Sequence, residues 1–292
     1  MKKIIALATL ATLIFSSCTK ETEGLIKDPN LMEFDAELAY TRATATEFEA
    51  GDVIGVYVSQ YEDNKPTPLQ VSGNYASNIS SVYNGEKWVN SIPIYWSEGK
   101  FDVYAYYPHS KPLSVDEYVF SVQLDQSKEE TEEALSGYEA SDFMWAKAAG
   151  ISQMDAVPLR FSHKMSKLVV NLIKGEYFSG EIPEDAIVRV HSTVPGAVID
   201  LATGSVARDG YQSAKSITAK KISNGVYSAI VVPQRLENKL PLIEVLSNGV
   251  SYLIESKFVF RSGTQHTINL TLNNNPDKVR IEIGGEIEGD WN

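Results

Sequence analysis

Cys18 is the only cysteine in the 292-residue chain, so its thiol has no partner for an intramolecular disulfide and only covalent modification is left to it. The four histidines, His109, His163, His191 and His266, stand far apart in sequence, without the close pairing of a zinc site. His163 falls between Phe161 and Met165 in an alternating segment, which predicts a structural, hydrogen-bonded imidazole. No Gly-x-Ser-x-Gly elbow, phosphate-binding loop or glycine-rich dinucleotide fingerprint occurs. The paired acids Glu129-Glu130 and Glu132-Glu133 belong to one acidic run and read as a solvated face. Asp125 and Asp142 are calcium-ligand types, but they do not sit in an ordered EF-hand pattern. Glycosidase carboxylates come from distant strands and leave no local motif, so that reading stays open. The expectation is a protein that is not an enzyme, with no catalytic residue, no cofactor and no metal site.

The surroundings of Cys18 say what its chemistry is. Met1-Lys2-Lys3 is a basic start, Ile4 to Phe15 is apolar, and Ser16-Ser17 supplies small residues before the cysteine. An apolar run of this length falls short of the roughly 20 residues that span a bilayer, so it is read as an export signal. The arrangement resembles the lipobox of bacterial lipoproteins, with Phe15 departing from the usual leucine. That resemblance implies a signal peptide over 1–17, acylation of Cys18 as the new N-terminus, and lipid acyl chains as its first partner. Residues 18–30 then form a polar tether, whose Thr19-Lys20-Glu21-Thr22-Glu23 also resembles the surface-export signal of Bacteroidetes-type lipoproteins. The formal net charge is −12 and grows once Lys2 and Lys3 leave. So acidic an exported chain argues against nucleic acid and against electrostatic membrane binding.

Elements that would position anything else alternate with period two and break at Gly, Pro, Asn or Asp, the pattern of antiparallel strands. Met32, Phe34, Ala36, Leu38 and Tyr40 share one face of the first strand. Val53–Val58 and Phe101–Tyr107 follow, with an Asn84-Gly85 hairpin signal between them and Pro108 as a stop. Later strands are expected over 167–173, 186–190, 226–232, 242–246, 251–260 and 267–272, with Asn248-Gly249 as a second hairpin turn. The acidic stretch 126–135 is the one helix candidate. About 270 mature residues suggest two domains. The chain is therefore predicted to be all-β, with sandwiches over 31–158 and 159–292.

Several phrases, in order, resemble the fimbrillin-like family, the lipoprotein precursors of type V pili in Bacteroides-type bacteria. They are Thr41-Arg42-Ala43-Thr44 leading to Phe48-Glu49-Ala50-Gly51-Asp52-Val53-Ile54-Gly55-Val56, and Ile94-Tyr95-Trp96 before Phe101-Asp102-Val103-Tyr104-Ala105-Tyr106-Tyr107-Pro108. Ser141-Asp142-Phe143-Met144-Trp145-Ala146, the stretch Leu159 to Leu168, and Val231-Val232-Pro233-Gln234 complete the set. The resemblance implies two consecutive transthyretin-like β-sandwiches in an outer-membrane, cell-surface pilus subunit, shaft or tip, that works in adhesion. It further implies that an arginine-specific protease cuts after Arg42 and releases the strand of Met32, Phe34, Ala36, Leu38 and Tyr40. Burial of such side chains contributes about 1.5–3 kcal/mol for each of the larger ones, so the vacated groove must be refilled. Strand addition from another pilin subunit would refill it. Val279, Ile281 and Ile283 alternate after the break at 273–276 and form a candidate donor strand over 279–291, extended by Ile287 and Trp291. The other reading is that this segment completes its own second domain. Two further functions remain: an anchor or accessory lipoprotein that keeps its first strand, and a surface lipoprotein that binds a host glycan or protein. For a glycan, Tyr95, Trp96, Trp88, Trp145 and Trp291 would form the stacking platform.

Overall fold

A computed structural model describes residues 28–39, 47–274, 280–282 and 289–290. It is all-β apart from one short 3-10 turn over Glu139–Ser141 among the described residues. Cys18, Tyr40, Arg42, Val279, Ile283, Ile287 and Trp291 lie outside the described residues.

The first half forms a seven-stranded sheet in the order β1-β8-β7-β5-β2-β3-β4. Its strands are β1 (Phe34–Leu38), β2 (Val53–Gln60), β3 (Ala76–Tyr83), β4 (Trp88–Asn90), β5 (Phe101–Tyr107), β7 (Met144–Ile151) and β8 (Val157–His163). Asn84-Gly85 turns β3 into β4: Asn84 N–H donates to Lys87 C=O at 3.1 Å, and Gly85 takes φ +92°. β5 is buried along its whole length, because both of its faces are covered. Phe101, Val103, Ala105 and Tyr107 point into one core with Met32, Ile54, Val56, Leu159 and Phe161. Tyr104 and Tyr106 point into the other core, with Tyr118, Phe120 and Phe143. Gly55 is required beside them, since a Cβ there would run into the Tyr106 ring.

Three sheets make up the rest. A three-stranded sheet runs β12-β11-β6, from β6 (Tyr118–Ser121), β11 (Gly196–Asp200) and β12 (Ser205–Arg208). A four-stranded sheet runs β13-β10-β16-β17, from β10 (Ile187–Thr193), β13 (Lys215–Thr218), β16 (Gln234–Ser247) and β17 (Val250–Phe260). A six-stranded sheet holds β14 (Lys220–Ser223), β15 (Val226–Val231), β9 (Ser166–Lys174), β18 (Thr264–Leu272), β19 (Arg280–Glu282) and β20 (Gly289–Asp290). Asn248 and Gly249, with φ of +50° and +73°, turn β16 into β17 in the left-handed manner of a two-residue hairpin.

Two sequence expectations need correction. The stretch 126–135 is not a helix but two tight turns, the second closed by a bridge between Thr131 and Ala134. Gln126 is fully buried there, and its amide pairs with β15 as a strand would, donating to Ile230 C=O at 2.7 Å and accepting from Ile230 N–H at 2.8 Å. Those two bonds reward an irregular loop over a helix, which would hold the amide away from the strand. The division drawn at Pro158 falls inside β8, which pairs with β1 and β7 of the first sheet. β6 in turn joins β11 of the second half, so the two halves interleave around residues 118–163.

Candidate functional site

β1 is a seam between the two edges of the first sheet. Its leading residues bond to the chain after β4: Met32 N–H donates to Ile94 C=O at 2.8 Å, and Trp96 N–H donates to Asn30 C=O at 2.7 Å. Its later residues, Phe34 to Leu38, run parallel to β8 from Val157 to Phe161. Val157 N–H donates to Glu33 C=O at 2.8 Å and Ala39 N–H to Phe161 C=O at 2.7 Å, so the odd-numbered peptide groups face β8. In a parallel ladder alternate residues bond to alternate sides, which turns the peptide groups of Phe34, Ala36 and Leu38 to the opposite edge, where no described strand pairs with them. Arg160 on β8 pairs with Glu37 on β1.

The expected burial of the first strand is graded. Met32 is fully buried and Phe34 nearly so, while Ala36 and Leu38 are half-buried beside the same core. The cause is a cleft of about 530 Å³ that widens from the Met32–Ile94 junction between β1 and the β3–β4 hairpin. Phe48 plugs its inner wall, with ring centres 5.0 Å from Trp88 and 5.3 Å from Phe161, both edge-on. Tyr83 stands 5.3 Å from Trp88 on the other side. Sequence reasoning assigned no role to Phe48 or Tyr83. The signal for Phe48 was a lone aromatic between Glu47 and Glu49, ahead of β2.

At the other end of the chain, Ile281 lies in β19, which pairs antiparallel with β18: Leu270 opposite Ile281, between Asn269–Glu282 and Thr271–Arg280. β20 touches β18 further along, at Thr264 and Gln265. Among the described residues, the donor candidate thus pairs with β18 of its own chain.

The titratable groups are engaged in structure. His163 pairs with Asp142 at 2.8 Å, matching the structural role expected of it. His191 links Ser216 at 2.6 Å to Glu244 at 3.1 Å, and Ser251 donates to the same carboxylate at 2.8 Å. That chain crosses all four strands of its sheet and ties them together. The Ser251 hydroxyl, followed by His191 and Arg189, holds the Glu244 carboxyl below its usual range, against the opposing pull of burial. Burial, with a contribution from Arg261, pushes His266 down to about 4, so it is neutral at pH 7 and its Nε2 accepts the Arg261 N–H at 3.2 Å. Asp125 and Asp142 do not converge: the first accepts from Ser127, the second from His163. Among the described residues, no group of three His, Cys, Asp or Glu is placed to hold a metal ion. The aromatic platform is also not assembled. Trp88 and Trp96 are core residues, and Trp145 is half-buried with its Nε1 donating to Leu201 C=O at 2.8 Å. Tyr95 alone of the described members is exposed.

The chain belongs to the fimbrillin-like family, whose model matches residues 41–291. Its fold is similar to that of a protein described as a cell adhesion protein of Bacteroides ovatus (TM-score 0.67, 22% identity, covering 90% of this chain and 98% of that one). It is also similar to one so described from Bacteroides uniformis (TM-score 0.65, 17% identity, 90% and 98% covered). A fimbrial protein of Bacteroides ovatus aligns at TM-score 0.52 and 16% identity, over 83% of this chain and 49% of that one. No curated protein matches the chain.

Proposed function

We propose that this chain is a structural or tip subunit of a type V-like fimbria at the cell surface, acting in adhesion. It is exported as a lipoprotein acylated on Cys18, cut after Arg42 by an arginine-specific protease, and assembled by strand exchange with other pilin subunits. The observation that carries this reading is the seam. Residues 30–38, β1 with the residues just ahead of it, join β8 to the chain after β4 and reach the core through Met32 and Phe34, and Arg42 follows within a few residues. Removing β1 would uncover the core along a strand-shaped groove and leave β8 as an open edge, a template for another strand. The donor is the C-terminal segment carrying Val279, Ile281, Ile283 and Ile287, an alternating apolar strand of the kind that fills such a groove.

Mass spectrometry of the N-terminus of protein taken from the cell surface tests this. A start at Ala43 supports processing and polymer assembly. A start at acylated Cys18 on all surface copies makes the chain an anchor or accessory subunit that keeps β1. Cys18→Ala is expected to leave unlipidated precursor, absent from the membrane fraction and without radiolabelled palmitate.

A further inference from the structure

The cleft beside β1 has the chemistry of a binding site in its own right. Its floor is apolar, built from Phe34, Leu38, Phe48 and Trp88. Its rim carries Asp35, Glu37, Glu47 and Glu86, with Lys87 the one cation among the lining residues. Arg160 offsets Glu37, which leaves Asp35, Glu47 and Glu86 as an exposed excess of negative charge. One wall is the edge of β1 turned from the β8 ladder, where the peptide groups of Phe34, Ala36 and Leu38 have no backbone partner among the described residues. Such an edge captures an extended peptide by strand addition, with the apolar floor and the charged rim selecting its side chains.

The geometry points to a docking site, in the uncut chain, for an extended basic peptide of a partner protein, which adds as a strand to the edge of β1 turned away from β8. Alternate residues of such a strand point to opposite faces. One set, apolar, would lie on Phe48 and Trp88, and the other, lysine or arginine, would meet Asp35, Glu47 and Glu86. Charge complementarity selects the partner: an acidic peptide would set its carboxylates against the same rim. Because β1 is itself a wall, the site exists only before β1 is released. Its failure would leave cleavage after Arg42 and strand exchange untouched, so the two readings are separable.

The test titrates a fluorescein-labelled peptide of alternating lysine and valine into the full, uncut chain and follows anisotropy. A peptide of alternating glutamate and valine serves as control. Saturable binding of the lysine peptide is expected, weakening as salt rises, with the glutamate peptide inert. Glu47→Lys combined with Glu86→Lys should weaken binding by roughly tenfold or more, and Lys87→Glu should tighten it. All three positions are exposed, so melting curves that coincide with wild type tie the changes to the cleft. Equal binding of both peptides, or indifference to the charge reversals, overturns the proposal.

Discussion

Asp102 is a carboxylate held almost wholly out of water on β5, in a fold that has no disulfide to lean on. Burial by itself would raise its pKa. The Gly150 N–H at 2.8 Å and the Lys147 ammonium at 3.2 Å outweigh that and hold it below the usual carboxylate range. Lys147 also sits over the Tyr104 ring, 4.5 Å from its centre. A carboxyl with a depressed folded pKa contributes stability above its unfolded value near 3.8 and loses it as pH falls through the folded value. Asp102→Asn should therefore lower stability at pH 7 by about 1.5–3 kcal/mol in denaturant titrations. It should also flatten the part of the acid-side decline that falls below pH 4. A variant as stable as wild type at pH 7 would show that the Lys147 pair does not help hold β5 to β7. Little of this was legible beforehand. Phe101-Asp102-Val103 alternates as if Asp102 faced water, and only the packing of a second layer on β5 buries it. Gln126 and Gln234 were hidden for the same reason. Gln234 bonds Val194 through both its carbonyl and its amide, a strand-like pairing made by a side chain and invisible to backbone periodicity.

Among the elements, β1 was the most readable and the most instructive. Its alternating apolar positions foretold the buried Met32 and Phe34, and β5 runs over the expected 101–107. Asn248-Gly249 makes the expected left-handed two-residue turn, whereas Asn84-Gly85 opens a four-residue loop in which Asn84 Oδ1 accepts from the Glu86 and Lys87 N–H groups. What periodicity does not carry is which neighbour a strand takes. That β1 runs parallel to β8 and bridges to 94–96, leaving a cleft, depends on contacts more than a hundred residues apart for β8 and about sixty apart for 94–96. The same limit misplaced the division at Pro158, since β8 alternates like any strand and only its partners assign it to the first sheet. Processing belongs to this scale. Arg160 and Arg189 both sit in strands, on β8 and β10, whereas Arg42 lies between β1 and β2. Proteolysis concentrates in exposed connecting segments, so limited trypsin digestion should cut after Arg42 before either of the others. Early cleavage in those strands, with Arg42 intact, would count heavily against release of β1.

For the whole molecule the question is where the C-terminal strand belongs. β19 holds three residue pairs against β18 at the edge of the six-stranded sheet, and β20 adds two. The remainder of that sheet is tied by a nine-pair parallel ladder between β9 and β18 and a six-pair ladder between β9 and β15. Val279, Ile281 and Ile283 keep their period-two pattern whichever chain they join, and on the donor reading they are held in reserve for a neighbour. A one-residue slip would turn every apolar position to solvent, so the register in a neighbour's groove would be as strict as in a native sheet. Changing Val279, Ile281 and Ile283 together to Asp should thus leave the uncut monomer folded, with a melting curve close to wild type, yet prevent polymer formation after cleavage at Arg42. If the segment instead completes its own sheet, the same variant must melt well below wild type before any cut is made. Comparison of the two uncut melting curves, with polymer formation followed after processing, separates a strand held in readiness for a neighbour from one that is needed at home.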